Sequence, residues 1–198
     1  MVWDTAASTP VASLGTAYAS ETRSYSSARG ISFHGAAGRT YKLRVSGTTN
    51  TPFRLQVARG PVNDMLATAA EVPARPVRRD PWVSDDVDNT RAGAEPSEPT
   101  PSDYGMWWTY TPTTSGNLRV EVLAPADGLN YTRYRKLYAY RTTSTDVTAT
   151  GAYIARDQYT GDYDPIINVA VVAGQTYKIK MTTAAGQFGR YRMKFTQF

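Results

Sequence analysis

The sequence predicts an all-β protein, an antiparallel β-sandwich. Three observations lead to this fold class. The first two are that apolar and polar residues alternate in short runs, and that turn-forming residues separate these runs at intervals of roughly 8–12 residues. The third is that the one helix-like stretch, Asp64–Glu71, is too short to form a helical layer. With 198 residues, of which 41% are hydrophobic and 12% aromatic, the chain can bury a substantial core.

Three strands are predicted in the first part of the chain. They are Ile31–Phe33, Tyr41–Val45 and Phe53–Val57. In the second of these strands the apolar residues alternate with Lys42 and Arg44, so that one face is apolar and the other is charged. A stretch rich in Gly, Thr and Pro separates the second and third strands and is typical of a turn.

The later strands follow the same rule. Leu118, Val120 and Val122 alternate with Arg119 and Glu121, as expected for a strand with one side on the core. The strands predicted in this part are Met106–Thr111, Leu118–Val122, Leu137–Tyr140, Ile166–Val171, Tyr177–Met181 and Tyr191–Phe195.

An internal repeat predicts how these strands are divided into domains. The segment Ala36–Val45 returns as Val172–Met181, and the same offset aligns Arg54 with Arg190. Repetition at a fixed offset indicates tandem copies of one structural unit. The second copy has a long stretch before the repeated segment, whereas the first has almost none. We therefore predict a partial sandwich module over residues 1–60, the back half of a repeat, and a complete module over 61–198.

The net charge of +5 does not by itself predict a nucleic-acid site. The basic residues alternate with apolar ones on predicted strands, which favours a solvated sheet face over a site for a polyanion. The residues in question are Lys42, Arg44, Arg54, Lys178, Lys180, Arg190, Arg192 and Lys194. We expect neither a nucleic-acid partner nor a membrane partner, since no apolar run approaches the roughly 18 residues needed to cross a bilayer.

The stretch Pro73–Asp103 is rich in proline and acidic residues and is expected to be a surface loop. Two acidic groups, Asp85–Asn89 and the set of Asp157, Asp162 and Asp164, offer oxygen ligands of the kind that calcium prefers. Neither group has the spacing of a calcium-binding loop, so we expect no metal and no other cofactor.

The sequence favours a protein without catalytic residues. It contains one histidine, His34, and no cysteine, which excludes a disulfide framework and a thiolate metal site. It has neither a nucleophile elbow nor a zinc-binding histidine pair. We expect the protein not to be an enzyme.

Aromatic residues supply the candidate site. On the strand Met106–Thr111, Trp108 and Tyr110 should share one face, with Trp107 on the other. Tyr and Arg are enriched at protein interfaces, and tyrosine rings also stack on sugars. Either role suits the surface predicted from Tyr131, Arg133, Tyr134, Arg135, Tyr159 and Tyr163. Of the other tyrosines nearby, Tyr138 or Tyr140 is expected in the core and Tyr153 on a loop.

The complete module resembles the bacterial pre-peptidase C-terminal domain family, in the variety found as tandem repeats in secreted and virion-associated proteins. The resemblance spans about Pro61–Phe198 and, through the internal repeat, Val11–Gly60. The motifs that carry it are Asn63–Asp64, Gly93–Pro99, Met106–Pro112, Ser115–Val122, Leu137–Tyr140 and Val172–Ile179. The resemblance implies a jelly-roll-like sandwich that is an accessory, non-catalytic module.

These observations lead to a first hypothesis, a structural protein of an extracellular particle. The sequence from Met1 shows no export signal, and phage proteins released by lysis need none, so a bacteriophage tail or capsid-surface protein is favoured. Its expected partners are other subunits, including copies of itself, and a host-surface glycan; its expected location is the virion or the extracellular space. The alternatives are a polymer- or glycan-binding accessory module of a secreted hydrolase and a separate glycan-binding adhesin.

The partial module carries one further expectation. It has no counterpart of the strands Met106–Thr111 and Leu118–Val122, which should supply much of the facing layer. Apolar residues such as Leu43 and Leu55 would then be exposed unless another element covers them. We expect a neighbouring chain to cover them.

Overall fold

The structure is a computed structural model that describes residues 2–4, 10–12, 38–43, 60–64, 66–73, 80–89, 92, 104–128, 135–141, 153–158, 164–183 and 189–198. The chain divides into two compact units, Met1–Ala58 and Arg59–Phe198. None of the helices in the described residues is long and apolar enough to span a membrane.

The described part of the first unit is a three-stranded antiparallel sheet. Its strands are β1 (Val2–Asp4), β2 (Pro10–Ala12) and β3 (Tyr41–Leu43), in the order β2-β1-β3. Strand β3 lies within the predicted strand Tyr41–Val45, whereas β1 and β2 were not predicted because they are too short to show alternation. Predicted strands Ile31–Phe33 and Phe53–Val57, together with His34 and Leu55, lie outside the described residues.

The second unit contains two sheets. Its strands are β4 (Ala70–Val72), β5 (Trp82–Val83), β6 (Val87–Asp88), β7 (Tyr104–Tyr110), β8 (Gly116–Leu123), β9 (Arg135–Arg141), β10 (Tyr153–Gln158), β11 (Ile166–Val171), β12 (Tyr177–Thr183) and β13 (Arg190–Gln197). The front sheet has the order β10-β9-β12-β7-β4, and the back sheet has the order β11-β8-β13-β5, with β6 also paired to β13. All described pairs are antiparallel except β4 with β7. The predicted all-β antiparallel sandwich is confirmed.

The core lies between the two sheets because alternate residues of their strands point inward. On β7 the inward residues are Met106, Trp108 and Tyr110, and Trp107 lies on the opposite face. The prediction that Trp108 and Tyr110 share one face is therefore confirmed. The ring of Trp108 meets that of Tyr191 of β13 edge-on, with 6.3 Å between their centroids. The back sheet contributes Leu118, Val120, Val122, Ile167, Val169, Val171, Met193 and Phe195.

Two parts of the fold differ from the sequence prediction. Residues predicted as loop around Tyr153 form strand β10, which contains Ala155 and Asp157, two residue types that are depleted in strands. Pairing with β9 forms this strand, and pairing is a tertiary effect that local alternation does not reveal. The helix-like stretch becomes a single 3₁₀ turn, Leu66–Thr68, followed by β4.

The internal repeat has a structural counterpart. Gly38 before β3 and Gly174 before β12 occupy equivalent positions and have positive φ angles of 75° and 73°. Glycine adopts this left-handed conformation at little cost, which explains its recurrence in both turns. The order β2-β1-β3 also matches β10-β9-β12, so the described sheet of the first unit corresponds to one side of the front sheet.

Backbone hydrogen bonds continue past the end of β13, between Phe198 and β8. The N–H of Phe198 donates to the carbonyl of Asn117 at 2.7 Å, and the N–H of Asn117 donates back at 3.0 Å. Gly116 permits this close approach, because a Cβ at that position would lie 2.3 Å from the carbonyl oxygen of Phe198. Strand β13 is thereby paired along its length.

Tyr191 brings a hydroxyl group into the core that has no hydrogen-bond partner among the described residues. Burial raises the pKa of Tyr191 well above its ordinary value of 10.0, and the charge of Asp88 adds to this shift. The folded state therefore holds the neutral phenol, whereas the unfolded chain ionises above about pH 10. Stability from this residue is fully present below that pH and is lost as the pH rises further.

We expect Tyr191→Phe to leave the fold as stable at pH 7 as in the parent, or more stable by up to about 1 kcal/mol, because it removes an unsatisfied buried hydroxyl. Above about pH 10 the variant should lose less stability than the parent. Urea unfolding of both proteins from pH 7 to pH 11 measures these effects. A clear loss of stability at pH 7 would show that the hydroxyl has a partner.

Candidate functional site on the outer face of the front sheet

The outward side chains of the front sheet form rows across its strands. The strand register places Arg156, Tyr138, Lys180 and Trp107 side by side on β10, β9, β12 and β7. The adjacent row consists of Tyr153, Tyr140, Lys178 and Thr109. Cations and aromatic rings are therefore neighbours both along and across the strands, which the sequence alone does not show.

The half of this face around β7 and β12 is covered. Trp107 and Tyr140 are buried with Leu66 of the 3₁₀ turn, and their rings lie 5.7 Å apart. Asn63 fixes the segment before the 3₁₀ turn to β7. Its side-chain amide donates to the Trp107 carbonyl at 3.1 Å, and its own carbonyl accepts from the Trp107 N–H at 2.8 Å. This half serves as a second, smaller core.

The prediction of a solvated basic sheet face is wrong for Lys180. It is 7% exposed, and its Nζ lies over the ring of Trp107, 5.3 Å from the centroid. The negative face of an indole ring stabilises a cation in this position. Its neighbour Lys178 is half-buried and donates to Oγ1 of Thr109 at 2.6 Å, and burial lowers the pKa of Lys178.

The half around β9 and β10 is accessible, and we call it the aromatic–cationic face: Lys136, Tyr138, Tyr153 and Arg156. Tyr138 and Tyr153 are half-buried, with centroids 5.9 Å apart and planes inclined by 60°. Arg156 is exposed, and its guanidinium carbon lies 4.9 Å from the centroid of the Tyr153 ring. Neither Lys136 nor Arg156 forms an ion pair with any carboxylate among the described residues.

The outer face of the back sheet is different, because its cations are neutralised. Lys194 lies 2.9 Å from Glu121, and Arg119 lies 3.1 Å from the same carboxylate. Arg190 pairs with both Asp86 and Asp127. The hydrogen bond to Asp127, with the charges of both carboxylates, raises the pKa of Arg190. A basic strand thus presents little net charge on this side.

Arg192 completes this arrangement. Its Nε lies 3.8 Å from Asp86 and donates to the carbonyl of Ala124 at 3.0 Å. Asp86 is therefore shared between two arginines of β13. Through these pairs the acidic segment around Asp86 contacts the basic strand β13, although the two are far apart in the sequence.

Two members of the first group of candidate calcium ligands, Asp86 and Asn89, are engaged elsewhere. Asp86 is paired as described, and Asn89 is fully buried. The Asn89 amide donates to Oγ1 of Thr183 at 2.9 Å, and its side-chain oxygen accepts from the Gly189 N–H at 3.0 Å. Asn89 therefore joins its own loop to the end of β12 and the start of β13.

In the second group of candidate calcium ligands, Asp157 and Asp164 also have partners elsewhere in the fold. Asp157 accepts from the Ile166 N–H at 2.9 Å, and Asp164 pairs with Arg135 at 2.7 Å. Asp162 lies outside the described residues. Within the described ranges, no three His, Cys, Asp or Glu side chains lie close enough to hold a metal ion.

The residues proposed from sequence as an interface or glycan surface are only partly placed. Tyr131, Arg133, Tyr134, Tyr159 and Tyr163 lie outside the described residues. Arg135 is described, and the prediction that it belongs to an open surface is wrong, because its side chain is 1% exposed. Arg135 is the first residue of β9, in register with Thr183 of β12, and Asp164 reaches it from the segment before β11.

The aromatic–cationic face includes Arg156, which the sequence analysis did not place on a surface. It lies in β10, whose weak strand signal hid the alternation that would have placed it beside Tyr138. Tyr140 is buried as expected for one of the two tyrosines, although in the outer cluster and not between the sheets.

No protein-family model and no curated protein matches this sequence. The solved structures that are similar to it include a domain of a bacterial collagenase and an inhibitor of a lysozyme. The pre-peptidase C-terminal domain of collagenase from Bacillus anthracis is 12% identical, with a TM-score of 0.41, over 65% of this chain and 94% of that domain. The periplasmic inhibitor of g-type lysozyme from Aeromonas hydrophila is 9% identical, with a TM-score of 0.39, over 65% of this chain and 96% of the inhibitor.

Proposed function

We propose that this chain is a non-enzymatic structural module of an extracellular particle and that it works through contacts with other protein chains. The observation that carries the proposal is a difference between the two copies of the repeat. Leu43 of β3 is 42% exposed, whereas its equivalent in β12, Ile179, is 0% exposed. The same element is thus complete in the second unit and open in the described part of the first.

Strand neighbours explain this difference. In the second unit β12 lies between β9 and β7, and its inner face packs on the back sheet. In the described part of the first unit, β3 pairs with β1 and the sheet ends there. Within the described residues this leaves a strand edge open beside an exposed leucine, an arrangement that favours association with another chain.

The setting that we propose is a bacteriophage virion, at the tail or the capsid surface, with copies of this chain among its partners. The resemblance to a family of tandem modules in secreted and virion-associated proteins supports this setting. The polar groups described above also support a role without catalysis, since Asp86, Asn89, Asp157 and Asp164 have structural partners in the fold.

The second candidate is an accessory module of a secreted hydrolase that binds a polymer or glycan. The aromatic–cationic face favours it, because it combines accessible rings with cations that no described carboxylate neutralises. The neighbouring genes discriminate between the candidates: tail and capsid genes support the first, and a protease or glycosidase gene supports the second.

The assembly proposal predicts that the isolated chain has a mass in solution that is a multiple of the monomer mass. Leu43→Glu should shift it towards the monomer by placing a charge at the proposed contact. The control is Val62→Glu, at a residue of the second unit that is 71% exposed and should tolerate the charge. Light scattering after size exclusion measures both. A parent protein that stays monomeric at all concentrations, and is absent from purified particles, would refute the proposal.

A further inference from the structure

We propose that the aromatic–cationic face is a binding site for an acidic polysaccharide, with Lys136 and Arg156 holding its carboxylate groups and Tyr138 and Tyr153 supporting its sugar rings. The inference rests on the surface-contact part of the proposed function, yet it concerns a different unit from the assembly contact. It therefore names a second activity of the chain and the chemical class of its ligand.

Charge complementarity is the first argument. On the back sheet each outward cation of β13 has a carboxylate partner, as Lys194 has in Glu121. On the front sheet Lys136 and Arg156 have none among the described residues, and Lys178 bonds to the neutral Thr109. Among the described residues, the outer face of the front sheet therefore carries an excess of positive charge, which an anionic ligand fits.

The second argument is that Arg156 is held in place before any ligand arrives. Its guanidinium carbon lies 4.9 Å from the centroid of the Tyr153 ring, and this cation–π contact restricts the side chain, whose planar edge carries the N–H donors. Such an edge binds a carboxylate through two parallel hydrogen bonds. Because part of the side-chain entropy is already lost, binding costs less than it would for a freely rotating arginine.

The strand register spaces the two cations for a polymer. Arg156 is opposite Tyr138, and Lys136 is opposite Gln158, so the cations are diagonal neighbours across β10 and β9. Diagonal positions on an antiparallel pair are roughly 7–8 Å apart. An extended chain that carries an acid group on successive sugars can reach both cations while its rings lie on the tyrosines.

The same geometry disfavours other anionic partners. Protein hot spots are packed in pockets near the centre of an interface, whereas the half-buried Tyr138 and Tyr153 form a floor at the surface of a sheet. A nucleic-acid site has a longer stripe of cations along the phosphate backbone, and the cations of β13 are already paired. A sugar ring that stacks its apolar face on a tyrosine and carries a carboxylate needs neither a pocket nor a long stripe.

The test titrates the intact chain with polygalacturonate and, as the matched neutral ligand, with fully methyl-esterified polygalacturonate. We expect binding to the acid form only, weakening as sodium chloride is raised. The variant Lys136→Gln/Arg156→Gln should weaken binding by at least about tenfold. The control Arg192→Gln/Lys194→Gln removes the same charge from the back sheet and should bind as the parent does.

Several results would overturn the inference: no binding to the acid polymer, equal binding to the esterified polymer, or equal losses in the two double variants. Tighter binding of oligo-deoxythymidine or of polyglutamate would assign the face to another class of partner. Light scattering of the same samples separates this test from the assembly proposal. Oligomers that do not bind polygalacturonate refute only the inference, and a monomer that binds it refutes only the assembly.

Discussion

The Trp108→Ala variant should lose about 3–5 kcal/mol of unfolding free energy, among the largest effects of any single substitution in the second unit. Trp108 is 1% exposed and lies on β7, which is paired on both sides, with β12 and with β4. Its removal leaves a cavity between the sheets and deletes the edge-on contact with Tyr191. Neighbouring strands fixed by backbone pairing cannot collapse to fill it.

Urea unfolding followed by near-ultraviolet circular dichroism measures this loss. The matched control is Trp82→Ala on β5, because Trp82 is half-buried at the edge of the back sheet and packs on Phe195 with 5.5 Å between ring centroids. It should lose clearly less. Equal losses in the two variants would contradict the placement of Trp108 at the centre of the core.

Asn89→Leu should lower the unfolding free energy by about 2–4 kcal/mol, although leucine is close to asparagine in size and is apolar. The substitution leaves the Gly189 N–H without its acceptor and the Thr183 hydroxyl without its donor. Both groups are buried where the loop, β12 and β13 meet, so water does not replace the lost bonds without cost.

A double-mutant cycle with Thr183→Val isolates the side-chain pair. If the hydrogen bond contributes, the double variant should lose less than the sum of the two single variants. Asp85→Asn is the control, since Asp85 is exposed in the same segment and should change stability by no more than about 0.5 kcal/mol. Strict additivity in the cycle would show that the Asn89–Thr183 bond is not formed in solution.

Alternation of apolar and polar residues was enough to predict most strands of the second unit and the inward faces of β7, β8, β12 and β13. It succeeded there because the inward residues touch the opposite sheet and must be apolar. The strand β10 was missed because its pairing with β9 forms it in spite of residues such as Asp157 and Gln158. Its formation depends on pairing with β9, which the local sequence of β10 does not reveal.

The candidate site was predicted less well, for a related reason. Alternation says which side chains share a face, but it does not say what lies over that face. Lys180 points outward and yet is buried. Its Nζ lies over the ring of Trp107, whose backbone is hydrogen-bonded to Asn63. Nothing in the local sequence of Arg135 predicts its burial, because its partner Asp164 lies in the segment before β11. Only tertiary contacts distinguish these two cations from Arg156.

The pairing of β13 along its length has a mechanical consequence. Tension applied at Phe198 along the strand acts across its hydrogen bonds with β8, which lie perpendicular to antiparallel strands. The register pairs from Arg192 with Leu123 to Gln197 with Leu118 would then bear the load together in shear, and would not open one at a time. Because Gly116 leaves room for the carbonyl of Phe198, the hydrogen bonds between Phe198 and Asn117 share this load as well. A module tethered by this end would resist pulling as a single clamp.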